Sequence, residues 1–396
     1  MDIPTLRDSW LSIEKVGDEA VLYFYSHLFM EHPEVRDMFP LSMTTQRGRF
    51  FAALGRIVSN VDCLATDAAF VQQLGRDHRK FRVVADHYPA AGASLLATLK
   101  YFLGAAWTDN LAATWAEAYR AVARIMVTAA EEASAPAWWE AEVVATERRG
   151  IDVGVLRIRP TQPYAYTAGQ SMAVQIPQRP RLWRYYTPAN APRPDGTLDL
   201  HVQIVAGGQV SATLARTVAV GDTLRLGAPI GTALTLSADF RRDLLMVAGG
   251  TGLAPMTALI EQLDERWRST GEASNVYLFH GVRTQRNIYD HTFLSGLAGN
   301  RPWLRYTPVV SDDPAYPGAC GPVGTVVAKT HRWQGETALI CGSTAMVEHA
   351  AGELRRAGLP SSAIRFENFD GGHPDNPTSN TSAAPTEMAH QVATWH

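Results

Sequence analysis

The sequence predicts a multidomain chain: an all-α unit, then an antiparallel β-barrel, then an α/β doubly wound unit. Three observations predict it. Over 5–132 apolar residues recur at helical spacing with no strand pattern between them. After Trp138 the period becomes alternating, as in strands. Over 243–263 an apolar run, a glycine break and a helical spacing follow one another, which is strand, tight turn and helix. The expected boundaries are 1–133, 138–238 and 239–370. A tail at 371–396, poor in apolar residues, is expected to be disordered because it cannot offset its ordering entropy.

At 396 residues, with 46% hydrophobic and 19% charged residues, the chain has room for two or three globular domains. A net charge of -3 leaves no basic footprint, so nucleic acid and anionic membrane are not expected partners. The first residues lack a charged start before an apolar core, so no secretory signal is expected. Cys63, Cys320 and Cys341 are far apart and form no Cys-x-x-Cys pair, which fits a reducing cytoplasm and argues against a disulfide framework, a zinc site or covalent haem attachment. The uncharged run between Asp243 and Glu261 is long enough to raise a membrane span, but its glycines and Pro255 would break such a helix in mid-bilayer.

In the first unit, 17–30 is amphipathic, Pro33 and Pro40 mark a corner, and Thr44 is placed to cap a helix carrying Phe50, Phe51, Leu54, Ile57, Val58 and Val61. Pro89 opens a helix with Leu95, Leu99 and Phe102; Thr108-Asp109 opens another with Trp115, Val122 and Met126. In the stripe Phe70, Leu74, His78, Phe81 the histidine points inward, either as a satisfied core residue or as a ligand.

In the second unit, Val153, Val155, Arg157 and Arg159, and later Leu198, Leu200, Val202 and Ile204, have the spacing of half-buried strands. Turns at 194–196 and at Gly221-Asp222 punctuate about six of them. In the third, Gly250 and Gly252 let backbone approach a ligand, and Pro255 is tolerated in the first helical turn. The helix start offers unpaired amides and roughly half a positive charge to a pyrophosphate. Further buried strands are expected at 275–280, 304–310 and 337–341, giving a parallel sheet.

Tyr23-Phe24-Tyr25-Ser26-His27-Leu28-Phe29, then His32-Pro33-Glu34-Val35-Arg36-Asp37-Met38-Phe39, then His78 followed by His87-Tyr88-Pro89, resemble in order and spacing the globin domain of bacterial flavohaemoglobins. The resemblance implies a haem b with His78 as proximal iron ligand, Phe39 on the haem face, Tyr25 and Gln46 as the distal hydrogen-bonding pair, Phe50 in the distal pocket, and Tyr88 on the proximal side. Two departures are visible. Ala130, with Glu131 one place along, stands where the family has a glutamate, and Asp77 stands where it usually has lysine.

Arg184-Tyr185-Tyr186-Thr187 and Gly207-Gly208-Gln209-Val210-Ser211 resemble the flavin motifs of the ferredoxin-reductase family. They imply an FAD-binding barrel: arginine on pyrophosphate, tyrosine along the flavin, a hydroxyl at a ring heteroatom and glycine amides on phosphate. Gly250, Thr251, Gly252, Leu253, Ala254 and Pro255 then belong to an NAD(P) domain. Cys341-Gly342 resembles the family's turn beside the nicotinamide, and Glu367-Asn368-Phe369 resembles its terminal Glu-x-Phe, whose aromatic covers the flavin; Asp370-Gly371 replaces the usual Gly-Pro. Arg283, near the end of the second strand, suits either a 2′-phosphate of NADPH or the adenine of NADH.

The order of units implies electrons passing from NADH or NADPH through FAD to haem, and the family's nitric oxide dioxygenase activity, which turns nitric oxide and dioxygen into nitrate. Two alternatives remain: an oxygen-binding or sensing globin with its own ferric-haem reductase, and an NAD(P)H flavin reductase for another acceptor. A cytoplasmic monomer or weak dimer acting on small molecules is expected.

Overall fold

The computed structural model describes residues 2–64 and 68–369, apart from the side chain of Thr45. Asp370 and the tail at 371–396, expected to be disordered, lie outside the described residues.

The first unit is helical: α1 (Ile3–Glu14), α2 (Gly17–Glu31), α3 (Thr44–Ser59), α4 (Ala69–His78), α5 (His87–Leu103) and α6 (Asp109–Glu131). Local chemistry fixes several ends. The Asp2 carboxylate accepts from Thr5 N at 3.2 Å, and the Thr108 hydroxyl accepts from Leu111 N at 3.2 Å. Thr44 does not cap α3 as the sequence suggested. Met43 already has near-helical angles, so Thr44 is the first helical residue rather than the extended one that a cap requires. Leu6, Trp10, Phe24, Leu28, Leu99, Trp115 and Met126 fill the core. Helices α4 and α6 touch backbone to backbone at Gly75, where a Cβ would stand 2.3 Å from Met126 O.

The second unit is a six-stranded antiparallel sheet of β1 (Trp139–Arg148), β2 (Val153–Pro160), β3 (Ser171–Gln175), β4 (Arg184–Tyr186), β5 (Leu198–Gln203) and β6 (Thr223–Ile230), in the order β4-β3-β6-β1-β2-β5. A bridge between Pro188 and Leu200 joins the two edges and closes the barrel. One helix, α7 (Gln209–Arg216), interrupts it. Strands β2 and β5 differ from the half-buried strands expected. Val153–Ile158 are buried except Arg157, and β5 buries Asp199 and His201 as well as its leucines. The cause is cover on the outer face. Helix α7 lies over the first half of β2, with Ala215 Cβ 3.2 Å from where a Cβ on Gly154 would be, and His201 packs on Tyr289 of the third unit.

The third unit is a parallel sheet of β7 (Leu244–Gly249), β8 (Val276–Val282), β9 (Leu304–Val310), β10 (Ala319–Cys320), β11 (Thr337–Gly342) and β12 (Ile364–Asn368), ordered β10-β9-β8-β7-β11-β12. Helices α8 (Leu253–Thr270) and α9 (His291–Asn300) pack on one apolar core, α10 (Val323–Thr330) and α11 (Thr344–Arg356) on another. Strands β10 and β12 are additions to the four foreseen. The chain order reverses between β7 and β11, so a crevice opens at the carboxyl ends of those two strands, the ligand position of doubly wound sheets. Among the described residues no helix is long and apolar enough to cross a membrane, and the uncharged run at 244–260 is divided between β7 and α8.

Candidate functional site

Helix α4 ends on His78, whose Nδ1 lies 2.7 Å from the carbonyl oxygen of Leu74 one turn back. That carbonyl accepts the Nδ1 hydrogen and leaves the Nε2 lone pair for a ligand. Burial lowers the imidazole's pKa, against the Leu74 bond and the charge of Asp77, and keeps the ring neutral. A neutral imidazole with a spare nitrogen is the donor that haem iron takes. The side chains packed on this core fit a flat apolar group, since Phe39, Met43, Phe50, Leu54 and Leu74 are apolar yet only half-buried.

Helices α2 and α3 bring Tyr25 and Gln46 together, with Gln46 Nε2 donating to the Tyr25 hydroxyl at 3.4 Å. Tyr25 is 4% exposed, and burial pushes its phenol pKa well up, so it stays protonated. Around it stand Phe39 and Phe50, with ring centres 5.5 and 5.6 Å away, and Phe50 stacks on Phe24 at 4.4 Å. Tyr88 is half-buried and accepts from the Tyr119 hydroxyl at its own carbonyl, 2.6 Å. Ala130 is half-buried and Glu131 is exposed, so the acid one place along points to solvent.

On the barrel, Arg184, Tyr185 and Tyr186 form β4, and Tyr186 is buried enough to push its phenol pKa up. Thr187 Oγ1 lies 2.8 Å from Ser171 Oγ, and Ser171 donates in turn to Glu367 Oε2 at 3.5 Å. A hydroxyl line therefore runs from the flavin motif to the last strand of the third unit. Gly208 is the N-cap residue of α7, with Gln209, Val210 and Ser211 opening the helix; Gly207 has a positive φ of 71°. The Ser211 hydroxyl accepts from Val205 N at 3.3 Å and steadies this loop. An arginine and a helix start that has no side-chain cap are each groups that suit the phosphates of FAD.

In the third unit, Gly250 has φ +53° and Gly252 precedes α8, with Leu253, Ala254 and Pro255 in its first turn and Thr251 between the glycines. The need for glycine at 252 differs from the sequence reading. A Cβ there would stand 2.1 Å from Cys341 O, so close packing of β11, rather than ligand approach, demands it. His280 Nε2 donates to Gly250 O at 3.1 Å and pins the turn from the neighbouring strand. Cys341 is buried, which with nearby Glu367 pushes its thiol pKa up. Gly342 pairs with Asn368, and Phe369, 52% exposed, donates its N-H to Gly342 O at 3.0 Å. Arg283 is exposed just beyond β8, away from these groups in sequence but on the same sheet edge as the Gly250 turn.

Ser171 and His280 carry no local signature. Ser171 is recognisable only through Thr187 and Glu367, and His280 only through the Gly250 carbonyl.

The chain matches three family models in series: Globin over 22–126, Oxidoreductase FAD-binding domain over 140–234, and Oxidoreductase NAD-binding domain over 246–352. It is 26% identical over 326 residues to a flavohemoprotein of Bordetella pertussis, covering 76% of this chain and 80% of that one. The chain thus carries globin, FAD-binding and NAD-binding domains in the order found in flavohaemoglobins. Its reductase half also belongs with ferredoxin–NAD(P)+ reductases. It is 32% identical over 229 residues to the reductase component of the naphthalene 1,2-dioxygenase/salicylate 5-hydroxylase systems of Ralstonia sp., covering 57% of this chain and 67% of the relative. The fold of the whole chain is shared with a crystal structure of a flavohemoglobin from Malassezia yamatoensis with bound FAD and haem, at TM-score 0.75 and 18% identity, covering 93% of this chain and 98% of that one. The chain is thus an NAD(P)H-dependent oxidoreductase whose cofactors are haem, FAD and a nicotinamide nucleotide.

Proposed function

We propose that this chain is a flavohaemoglobin that acts as a nitric oxide dioxygenase, oxidising nitric oxide with dioxygen to nitrate at the expense of NAD(P)H. The observation that carries the reading is the buried Tyr25 phenol, which accepts from Gln46 and so keeps its own hydrogen for a ligand among aromatic rings. When bound, haem supplies an iron for the two gases, and FAD turns a two-electron hydride into single electrons.

The protein's part is to bind, orient and keep dry. His78 Nε2 would hold the iron, with Leu74 fixing the ring's tautomer and plane. Tyr25 would donate to the distal ligand, a bond worth roughly 1 to 3 kcal/mol where one partner carries charge. Phe24, Phe39 and Phe50 exclude water from that bond. Arg184 and the start of α7 would hold FAD, and Glu367, Ser171 and Thr187 offer a line for the proton that accompanies its redox change. The Gly250 turn and the α8 start would seat the nucleotide, with Cys341 and Gly342 closing the same crevice.

The test is nitrate formed per NAD(P)H consumed, with and without nitric oxide. Two nitrates per NAD(P)H, with consumption dependent on nitric oxide, are expected, since each dioxygenation uses one electron. Steady NAD(P)H oxidation that ignores nitric oxide and yields no nitrate would favour an oxygen-binding globin with its own reductase, or a flavin reductase for another acceptor.

A further inference from the structure

Lys80 belongs to the globin unit, in the 3-10 turn Arg79–Phe81 directly after α4, yet its side chain is 3% exposed. It is enclosed by the barrel as well as by its own unit. Its Nζ lies 5.1, 5.9 and 5.3 Å from the ring centres of Phe81, Trp183 and Tyr185, and its Cδ is 3.6 Å from where a Cβ on Gly227 of β6 would stand. Nζ donates to Asp77 Oδ2 at 2.5 Å and to the Tyr185 hydroxyl at 3.2 Å, and that hydroxyl donates to the same Asp77 oxygen at 3.3 Å. The three groups close a buried triangle across the two units. Arg49 of α3 also lies within electrostatic reach of Tyr185 and Asp77.

The corners of the triangle matter because of what they adjoin. Asp77 directly precedes His78, and Tyr185 stands between Arg184 and Tyr186 of the flavin motif. Phe81 repeats the connection through rings, edge-on to His78 at 6.4 Å and to Trp183 at 6.3 Å. Other ties between the units are wetter. The ion pair of Arg181 with Asp37 has side chains 37% and 86% exposed, where solvent leaves such a pair little net strength. A buried charge, by contrast, tolerates almost no displacement from its partners, so the Lys80 triangle permits one relative placement of α4 and β4.

We propose that Lys80, with Asp77 and Tyr185, is a cross-domain clasp that sets the placement of the haem-bearing helix against the flavin-bearing strand, and hence the rate at which flavin reduces haem. Lys80 is a positioning residue here, since it acts through Asp77 and Tyr185. The inference rests on electron passage from reductase to globin and not on nitric oxide being the substrate, because haem reduction is read without nitric oxide.

The test is Lys80→Met in the full chain, with haem and flavin contents measured to show that both units are folded. Stopped-flow haem reduction by reduced flavin should slow several-fold, as expected of a longer path for the electron, while hydride transfer from NADH to flavin is unchanged. Proteolysis of the exposed connection at 132–136 should quicken in haem-loaded and haem-free protein alike. The double variant with Asp77→Asn should be no slower in haem reduction than Lys80→Met alone, because the two residues act as one unit. Unchanged haem reduction or unchanged proteolysis in folded Lys80→Met, or rate losses that multiply in the double variant, would overturn the proposal. Should Lys80→Met fail to accumulate, Tyr185→Phe keeps the ring and deletes only the shared hydroxyl. Faster proteolysis of its haem-free form is then required, and an unchanged rate counts against the clasp.

Discussion

The imidazole Nδ1 of His78 stands 2.7 Å from the carbonyl oxygen of Leu74 on the same helix. This bond selects the tautomer whose Nε2 is free, and burial keeps that nitrogen unprotonated. His78→Ala should therefore lose haem while keeping FAD and NAD(P)H-dependent dye reduction, because globin and reductase have separate cores. Absorbance of the purified variant decides: a full haem complement with the wild-type axial spectrum would remove His78 from the ligand role.

Tyr25→Phe deletes one hydroxyl and leaves the aromatic packing with Phe39 and Phe50 in place. Dioxygen should leave roughly ten- to a hundredfold faster, the equivalent of a lost hydrogen bond of 1 to 3 kcal/mol. Stopped-flow displacement reads it directly. An unchanged off-rate would mean that the phenol serves only the core and that Gln46 is the distal donor.

Gly75 is the contact point of α4 and α6, and Gly75→Ala would place a carbon 2.3 Å from Met126 O. Backbone cannot swing aside as a side chain can, so α4 must shift, taking His78 with it. A loss of about 1 to 3 kcal/mol in globin stability is expected, with weaker haem retention and undisturbed flavin binding. Chemical denaturation followed by haem and flavin signals separately checks both halves of the claim.

Acid should loosen the reductase before most of its carboxylates titrate. His280 is pushed down to about 4 by burial, against its bond to Gly250, and His201 to about 3 by burial and by Arg149. Both start from 6.5 when unfolded, so the unfolded chain binds more protons between those values. Their stabilisation is complete above the unfolded pKa and is lost as pH falls, by about 1.4 kcal/mol per pH unit for each histidine. Asp290, whose pKa burial raises despite Arg149, works in the opposite direction and offsets part of this. His280→Gln keeps a donor for Gly250 and should flatten the slope of flavin-monitored denaturation between neutral pH and about pH 5; an unaltered slope would show that His280 does not contribute.

The sequence made some of this legible and hid the rest for physical reasons. The strand, turn and helix around Gly250 could be read because period and glycine placement are local properties, and His78 stood out as a polar residue at an apolar position of its stripe. Strand β10, two residues long, and β12 could not, because so short or so late a segment has no period of its own. Lys80 lies between Arg79 and Arg82 and resembles a solvated basic run. Its cover comes from the barrel, through Trp183, Gly227 and Tyr185, the last 105 residues away. Ser171 is hidden in the same way, since its meaning depends on Glu367, 196 residues on. Gly252 was foreseen as glycine-dependent, but the cause, the carbonyl of Cys341, comes from a strand that sequence spacing cannot place.

Nucleotide choice is open to a direct test at Arg283, exposed at the end of β8. On Arg283→Ala, a loss confined to NADPH, of about ten- to a hundredfold in kcat/KM, is the result expected of a guanidinium paired with a 2′-phosphate. Equal losses with NADH and NADPH would instead assign it to stacking on the adenine.

The proximal side gives the last prediction. In the family pattern an acid late in the last globin helix draws on the hydrogen bonds of the proximal tyrosine and histidine. The histidine gains anionic character, which favours ferric iron and cleavage of oxygen–oxygen bonds. Here the matching place is Ala130, and Glu131, the final residue of α6, is exposed to water. A carboxylate in solvent exerts little pull through the protein, since water screens it. The ferric/ferrous potential should accordingly be higher, and peroxidase activity weaker, than when the acid is present. Ala130→Glu should reverse this. If the restored bond is worth about 1 kcal/mol more to ferric than to ferrous iron, the one-electron potential falls by roughly 40 mV. The iron–histidine stretching frequency should rise at the same time, and Glu131→Gln should alter neither quantity. A haem-replete Ala130→Glu with the wild-type potential would mean that Tyr88 and His78 are not linked to this position. A frequency lowered by Glu131→Gln would mean that the exposed acid reaches the proximal side after all.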